Sequence, residues 1–144
     1  MYERTHERIH VGFTKGFYKF DYTPPHRGFD LFSGFYGSAI RKKNHKQRYV
    51  MASGDSIEGY DFRDNDAKLS VTDTYADEYW TQKAIEHIYA QDPNTPFFMY
   101  MSYSLPHSPV DPHSDFASIH ASNPNWGRGQ YLGMVSHLDD LMNR

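Results

Sequence analysis

The most constraining feature of this sequence is an apolar run that ends in a proline-bounded loop. Residues 97–101 read Phe-Phe-Met-Tyr-Met, without the alternation of polar and apolar side chains that marks a half-buried strand. The run predicts a strand over 96–103 that is covered on both faces by helices in a mostly parallel sheet. Pro106 and Pro109 then restrict the backbone on either side of His107.

This loop is the part of an α/β fold in which chemistry is expected. Ligands of open α/β sheets bind beyond the carboxyl ends of the strands, so His107 is the candidate site residue. The alternative is that His107 is an ordinary loop histidine without a ligand.

Two helical patterns flank the predicted strand. An apolar stripe predicts a helix over 75–91, and Thr74 and Asp77 have the spacing of a capping box at its start. A second stripe predicts a helix over 129–143. The members of the second stripe are Tyr131, Met134, Val135, Leu138, Leu141 and Met142. Helix, strand, loop and helix together predict one α/β layer.

The first half of the sequence is predicted to be mostly irregular. Glycine and proline interrupt residues 1–30, where only a short strand at 17–20 is expected. The aromatic, glycine-rich segment 28–37 suits a tightly packed turn in which backbones approach closely. A short strand at 49–53 and a polar surface excursion over 54–72 complete this half.

Composition excludes several classes of protein. The 144 residues contain no internal repeat and are enough for one modest domain. The net charge of -3 is too small for a polyanion-binding protein, and we interpret the basic cluster at 41–48 as a solvated loop. No apolar stretch approaches the roughly 18 residues of a membrane span. The absence of cysteine excludes disulfides, thiolate metal sites and a cysteine nucleophile within this chain.

Three segments resemble metal sites. Residues 6–10 read His-Glu-Arg-Ile-His, a literal H-E-x-x-H, but no hydrophobic helix surrounds them and no third zinc ligand follows, so we reject a zinc protease. A loop metal site made of His107, Asp111 and His113 is an alternative to ordinary polar loop residues. Residues 61–66 lack the glycine and the terminal glutamate of an EF-hand and are predicted to form a polar turn.

Four further segments follow one another in a recognisable order. They are Pro-Pro-His-Arg-Gly-Phe-Asp at 24–30, Asp-Phe-Arg with Trp-Thr-Gln-Lys-Ala-Ile within 61–85, Pro-His-Ser-Pro at 106–109, and Tyr-Leu-Gly-Met-Val at 131–135. Together they resemble the sulfatases, and most closely the arylsulfatase B-like branch. The resemblance covers about residues 16–144.

This resemblance implies a fold, a reaction and a site residue. The fold would be part of an alkaline-phosphatase-like α/β sandwich, with a mostly parallel central sheet and flanking helices. The reaction would be hydrolysis of sulfate esters, including those of sulfated sugars, by a formylglycine made from cysteine and a calcium ion. His107 aligns with the sulfate-contacting histidine of the family and is the one site residue that carries over. Residues 1–15 fall outside the pattern, so 16–144 are expected to be an incomplete catalytic domain.

Other parts of the family's site do not match this sequence. Its Cys-x-Pro-x-Arg motif requires a cysteine, and none of its calcium ligands aligns with a residue here. We therefore expect the chain alone to be inactive and to bind no calcium. The alternative function is a non-catalytic sulfatase-like protein that binds a sulfated ligand or a protein partner. The resemblance implies a lysosomal or secreted protein, although residues 1–10 lack a signal peptide, and we expect no nucleic-acid partner.

Overall fold

The computed structural model describes residues 7–13, 19–37, 40–41, 45–71 and 74–144. The strands are β1 (Glu7–Phe13), β2 (Leu31–Phe35), β3 (Lys46–Val50), β4 (Ser56–Tyr60), β5 (Arg63–Asp64), β6 (Ala67–Lys68) and β7 (Phe97–Ser102). The α-helices are α1 (Ala76–Ala90), α2 (Ser114–Ile119) and α3 (Trp126–Met142). None of the described helices is long and apolar enough to cross a membrane.

The main sheet has the strand order β6-β5-β2-β1-β7. β1 lies between β2 and β7 and runs parallel to both of them, whereas β5 and β6 form an antiparallel extension. β3 and β4 pair with each other as a separate antiparallel hairpin. The α/β class and the mostly parallel arrangement of the long strands confirm the fold that the sequence predicts.

The prediction of a mostly irregular N-terminal part is wrong. Residues 7–13 form a strand inside the sheet, between β2 and β7, and the predicted turn at 28–37 contains β2. Instead of the strand expected at 17–20, a short 3₁₀-helix begins at Phe20, and residues 14–18 lie outside the described part. A second short 3₁₀-helix spans Pro24–Arg27.

Two glycines explain why β1 and β2 are not predicted from the sequence pattern. Gly12 has a φ of +106°, and a Cβ atom at this position would lie 1.9 Å from the backbone oxygen of Ser102. A Cβ atom at Gly34 would lie 1.9 Å from the backbone oxygen of Gly12. The expected close approach of backbones is therefore confirmed at Gly34, but it occurs between paired strands and not within a turn.

β7 confirms the strand predicted over 96–103, but its environment differs from the expectation. It is the last strand in the sheet order and not a central one, and Phe98 and Tyr100 are 55% and 50% exposed. α1 packs on one face of the sheet. On the other face of the sheet, Phe98 contacts the ring of Phe29. An aromatic run in a strand can therefore be covered by aromatic side chains from a loop, and it does not by itself predict a helix on each face.

The core lies between α1 and the sheet. The indole ring of Trp80 stacks between the rings of Phe35 and Phe62, with ring centroids 5.5 Å from each. Ile9 and Val11 of β1 are fully buried in the same cluster. The helix predicted over 75–91 is thus confirmed, and its apolar stripe is the face that covers the sheet.

The basic segment 41–48 is only partly the solvated loop that its composition predicts. Residues 42–44 lie outside the described part, and the end of the segment belongs to β3. His45 is fully buried, and its two ring nitrogens each lie 2.8 Å from a backbone carbonyl oxygen, one of Val71 and one of Thr74. The histidine therefore ties this segment to the chain just before α1.

The predictions for 49–53 and 54–72 are displaced. β3 ends at Val50, so only its last two residues fall within the predicted strand. The supposed excursion contains β4, β5 and β6. β4 is almost wholly exposed, and the short strands lie at the sheet edge, so this stretch lacks the apolar runs from which strands are read.

The helix predicted over 129–143 forms as α3, and its predicted stripe is buried only in part, at Met134 and Leu141. Tyr131 and Val135 of the predicted stripe are exposed, while Gly129, Gly133 and His137 are buried. The cause is α2, which the sequence did not predict and which packs across the glycines of α3. A stripe defined by apolar side chains cannot include a contact made by glycine.

Candidate functional site

The loop after β7 is fixed to α1 by the carboxylate of Asp77. This side chain is 0% exposed and accepts three hydrogen bonds from the loop. Its Oδ1 accepts from the backbone N–H groups of Ser104 and Leu105 at 2.6 and 3.2 Å. Its Oδ2 accepts from the Ser104 hydroxyl at 2.6 Å. The capping box predicted with Thr74 is therefore wrong, since Tyr75 is the N-cap residue and no side chain caps the helix.

Apolar packing against α3 also holds this loop. Leu105 is buried in a cluster with Met134 and Leu141 of α3. The hydroxyl groups of Tyr103 and Thr81 lie 3.2 Å apart, which adds a second polar contact between the loop and α1. The chain that leaves β7 is thus held by two helices before it reaches the histidine.

His107 lies on the exposed side of this loop. Its backbone N–H donates to the Ser104 carbonyl oxygen at 2.8 Å, and its Nδ1 lies 2.7 Å from the carbonyl oxygen of Ser108. A carbonyl oxygen can only accept, so Nδ1 carries the proton and the second contact sets the direction of the ring. His107 is therefore exposed on a loop whose backbone is hydrogen-bonded to α1 through Ser104 and Leu105.

The candidate metal-binding motifs do not form a metal site within the described residues. The part of the chain that the structure describes holds no group of three or more His, Asp or Glu side chains that could bind a metal ion. This applies to His107, Asp111 and His113. In the H-E-x-x-H motif, His6 lies outside the described residues and His10 is on a strand, where it packs against aromatic rings. The turn predicted within 61–66 is confirmed by the β5–β6 hairpin.

A buried histidine on α3 forms a second polar cluster, which the sequence did not single out. His137 is 0% exposed; its Nε2 lies 3.2 Å from Oε1 of Glu78, and its ring stacks on Phe116 at 4.4 Å. The ring of His113 is 5.8 Å away. Burial lowers the pKa of His137, Glu78 opposes this change, and His113 reinforces it. His137 is not a member of the predicted stripe, and the one sequence signal is its helical spacing from Met134 and Leu141.

A cavity of about 450 Å³ adjoins this cluster. It is lined by Tyr75, Glu78, Asp111 and neighbouring residues of α2 and α3. The Tyr75 hydroxyl donates to the backbone oxygen of Asp111, and burial, with the nearby carboxylates, raises the pKa of Tyr75. The cavity wall is therefore acidic, whereas the His107 loop is a separate feature at the end of β7.

His137 should make the stability of the chain depend on pH. Because its pKa is lowered in the folded chain, the unfolded chain takes up the proton more readily, so stability is full above about pH 6.5 and falls on acidification below it. We expect the midpoint of urea unfolding to drop between pH 7 and pH 5, and we expect His137→Phe to reduce this drop. His107→Gln is the control, because that side chain is exposed. Equal pH dependence of the wild type and His137→Phe would contradict the prediction.

Comparison with known proteins identifies the family of this arrangement. No family model matches the chain. Arylsulfatase J of Mus musculus is 31% identical to it over 129 residues, which are 88% of this chain and 21% of that protein. This chain is a sulfatase-like segment. It spans about a fifth of the length of this curated relative.

Solved structures share the fold of the sulfatase-like segment. A crystal structure of Ps i-CgsB in complex with k-i-k-neocarrahexaose superposes with a TM-score of 0.77 at 22% identity, over 96% of this chain and 32% of that one. A structure from work on the metabolism of multiple glycosaminoglycans by Bacteroides thetaiotaomicron gives a TM-score of 0.62 at 13% identity, over 96% and 35%. At these identities the likeness concerns the fold alone.

Proposed function

We propose that the sulfatase-like segment carries the sulfate-contacting loop of a sulfuric ester hydrolase. The observation that supports this most is the position of His107, which lies exposed on a fixed loop at the carboxyl end of a parallel strand. Its ring is oriented through Nδ1, which lies 2.7 Å from the carbonyl oxygen of Ser108, and an imidazole N–H is a suitable donor to an anion. A donor held in advance stabilises charge on sulfate oxygens without reorganising during the reaction.

The other groups of the sulfatase site are known from the family, and we assign none of them to residues of this chain. In sulfatases, a formylglycine hydrate supplies the nucleophile that attacks sulfur. This chain has no cysteine from which to make it, and its described residues offer no group of metal ligands for calcium. We therefore assign one role here, the contact of His107 with sulfate, and derive no step through the metal. The division of the chain at residue 15 remains a proposal.

The substrate class and the compartment are also proposed. Sulfate esters of sugars are supported by the oligosaccharide in the Ps i-CgsB complex and by the glycosaminoglycan metabolism named for the Bacteroides thetaiotaomicron structure. A lysosomal or secreted location is supported by the similarity to arylsulfatase J. A non-catalytic protein that binds a sulfated ligand or partner is the second candidate, favoured by the absence of cysteine.

Two measurements, turnover of an aryl sulfate and binding of sulfate, distinguish the two candidate functions from a function unrelated to sulfate. We expect the 144-residue chain to show no turnover of a chromogenic aryl sulfate, because it lacks the nucleophile. We also expect the ring resonances of His107 to shift on titration with sodium sulfate, but not with sodium chloride at equal ionic strength. His107→Ala should remove this response, whereas His87→Ala on α1 should not.

Each result of the sulfate titration and the turnover assay has a distinct interpretation. A sulfate response without turnover supports the proposed contact, and the response should be strengthened by the remaining sequence of a complete sulfatase. Absence of any response of His107 would refute the contact. Turnover by the chain alone that is abolished by His107→Ala would show a chemistry other than the one proposed here.

A further inference from the structure

Asp77 connects α1 to the histidine loop in an unusual way. A buried carboxylate is stable only where hydrogen bonds replace the water that it has lost. Here Asp77 accepts three hydrogen bonds from the two residues Ser104 and Leu105. Hydrogen bonds to an ionised acceptor are among the strongest in proteins, so the direction in which the chain leaves β7 is set by α1.

A single residue separates this carboxylate from the backbone of the histidine. The N–H of Ser104 donates to Asp77, and the C=O of Ser104 accepts from the N–H of His107 at 2.8 Å. A change in the position of the carboxylate therefore passes through one residue, Ser104, to the backbone of His107. The contact of the His107 ring with the Ser108 carbonyl then carries the same constraint to the imidazole.

α1 itself has other attachments. Trp80 packs in the core on one side of the helix, and Glu78 reaches His137 of α3 on another. The helix therefore has contacts with the sheet and with α3 that do not involve Asp77. Loss of the carboxylate should disturb the loop more than the core.

We infer that Asp77 is a positioning residue for the sulfate-contacting loop: its buried carboxylate fixes Ser104, and Ser104 holds the His107 backbone at the carboxyl end of β7. The consequence for sulfate rests on the proposed function, but the effect on the loop does not. Asp77 does not reach the exposed side of the loop, so it acts through Ser104 and is not itself a sulfate ligand.

The test compares Asp77→Asn with the wild type in the full 144-residue chain. Asparagine keeps the shape but replaces one acceptor oxygen with a donor that faces the Ser104 hydroxyl. We expect amide hydrogen exchange at Ser104, Leu105 and His107 to accelerate about tenfold or more, because local opening no longer breaks charge-assisted hydrogen bonds. Exchange in β1 should change less. Asp139→Asn on the exposed face of α3 makes the same charge change and should leave the three amides as they are.

Ser104→Ala serves if Asp77→Asn fails to fold. It removes the hydroxyl donor alone and keeps both backbone donors to the carboxylate. We expect exchange at Leu105 and His107 to accelerate in Ser104→Ala. Where Asp77→Asn also folds, the acceleration in Ser104→Ala should be the smaller of the two, and the effect of the double variant should be less than the sum of the single effects. Unchanged exchange at these amides in whichever of the two variants folds would overturn the inference.

A sulfate titration separates positioning from general support of the fold. In Asp77→Asn the affinity of His107 for sodium sulfate, followed by its ring resonances, should fall about threefold or more while core exchange stays near the wild-type rate. Full sulfate affinity alongside a mobile loop would overturn the positioning role. If the wild-type ring itself ignores sulfate, the proposed function fails, and the exchange rates still decide whether Asp77 fixes the loop.

Discussion

Replacing Gly34 with alanine is expected to prevent stable folding of the chain. The added Cβ atom would lie 1.9 Å from the backbone oxygen of Gly12, and that oxygen belongs to β1, which lies between β2 and β7. It cannot move away without disturbing the pairing of β1 with both β2 and β7. We expect a loss of more than about 4 kcal/mol, which is a large part of the roughly 5–15 kcal/mol that holds a domain of this size together.

Urea unfolding followed by circular dichroism measures this loss. Gly59→Ala is the matched control, because a Cβ atom at Gly59 on β4 meets no atom within 4 Å. That control should change the unfolding free energy by no more than about 0.5 kcal/mol. A cooperative transition of Gly34→Ala with the wild-type midpoint would show that the two strands do not approach as described.

Replacing Trp80 with alanine is expected to have the next largest effect. The indole ring is fully buried between Phe35 and Phe62, so its removal leaves a cavity at the contact of α1 with the sheet. Truncation of a buried aromatic side chain costs about 3–5 kcal/mol. Thermal or urea unfolding should show a loss in this range.

Trp80→Phe tests the polar part of the same side chain. The indole Nε1 of Trp80 is buried and has no hydrogen-bond partner within the described part of the chain. Phenylalanine keeps most of the ring contact and removes this unsatisfied donor, so we expect a much smaller loss than with alanine. Equal losses for the two variants would mean that the Nε1 group makes a stabilising contact.

Local patterns explain which elements could be predicted from the sequence. α1, α3 and β7 are continuous stretches whose apolar residues or caps lie within a few positions of one another. β1 was missed because its polar start and Gly12 resemble a loop, and its role depends on neighbours at 31–35 and 97–102. Strand pairing over such distances leaves no local mark in a single sequence.

The same limit applies to the candidate site. The loop around His107 could be predicted because prolines and a strand end are local features. The role of Asp77 could not, because the residue that it binds lies 27 positions away and its spacing from Thr74 suggested a capping box. The contact of His137 with Glu78 could not be predicted for a similar reason, since the two residues are distant in sequence.

The open side of β7 has a consequence for how the chain behaves in solution. The strand lies last in the sheet order, and its six residues include neither a charged side chain nor a proline. Natural proteins block such edges with lysine, proline or a bulge, since an unblocked edge is a template for pairing with another molecule. With Phe98 and Tyr100 exposed along it, intermolecular strand pairing competes with the monomer. Within the described residues this edge of β7 has no paired strand, so we expect aggregation at this edge to set the concentration at which the isolated chain stays in solution.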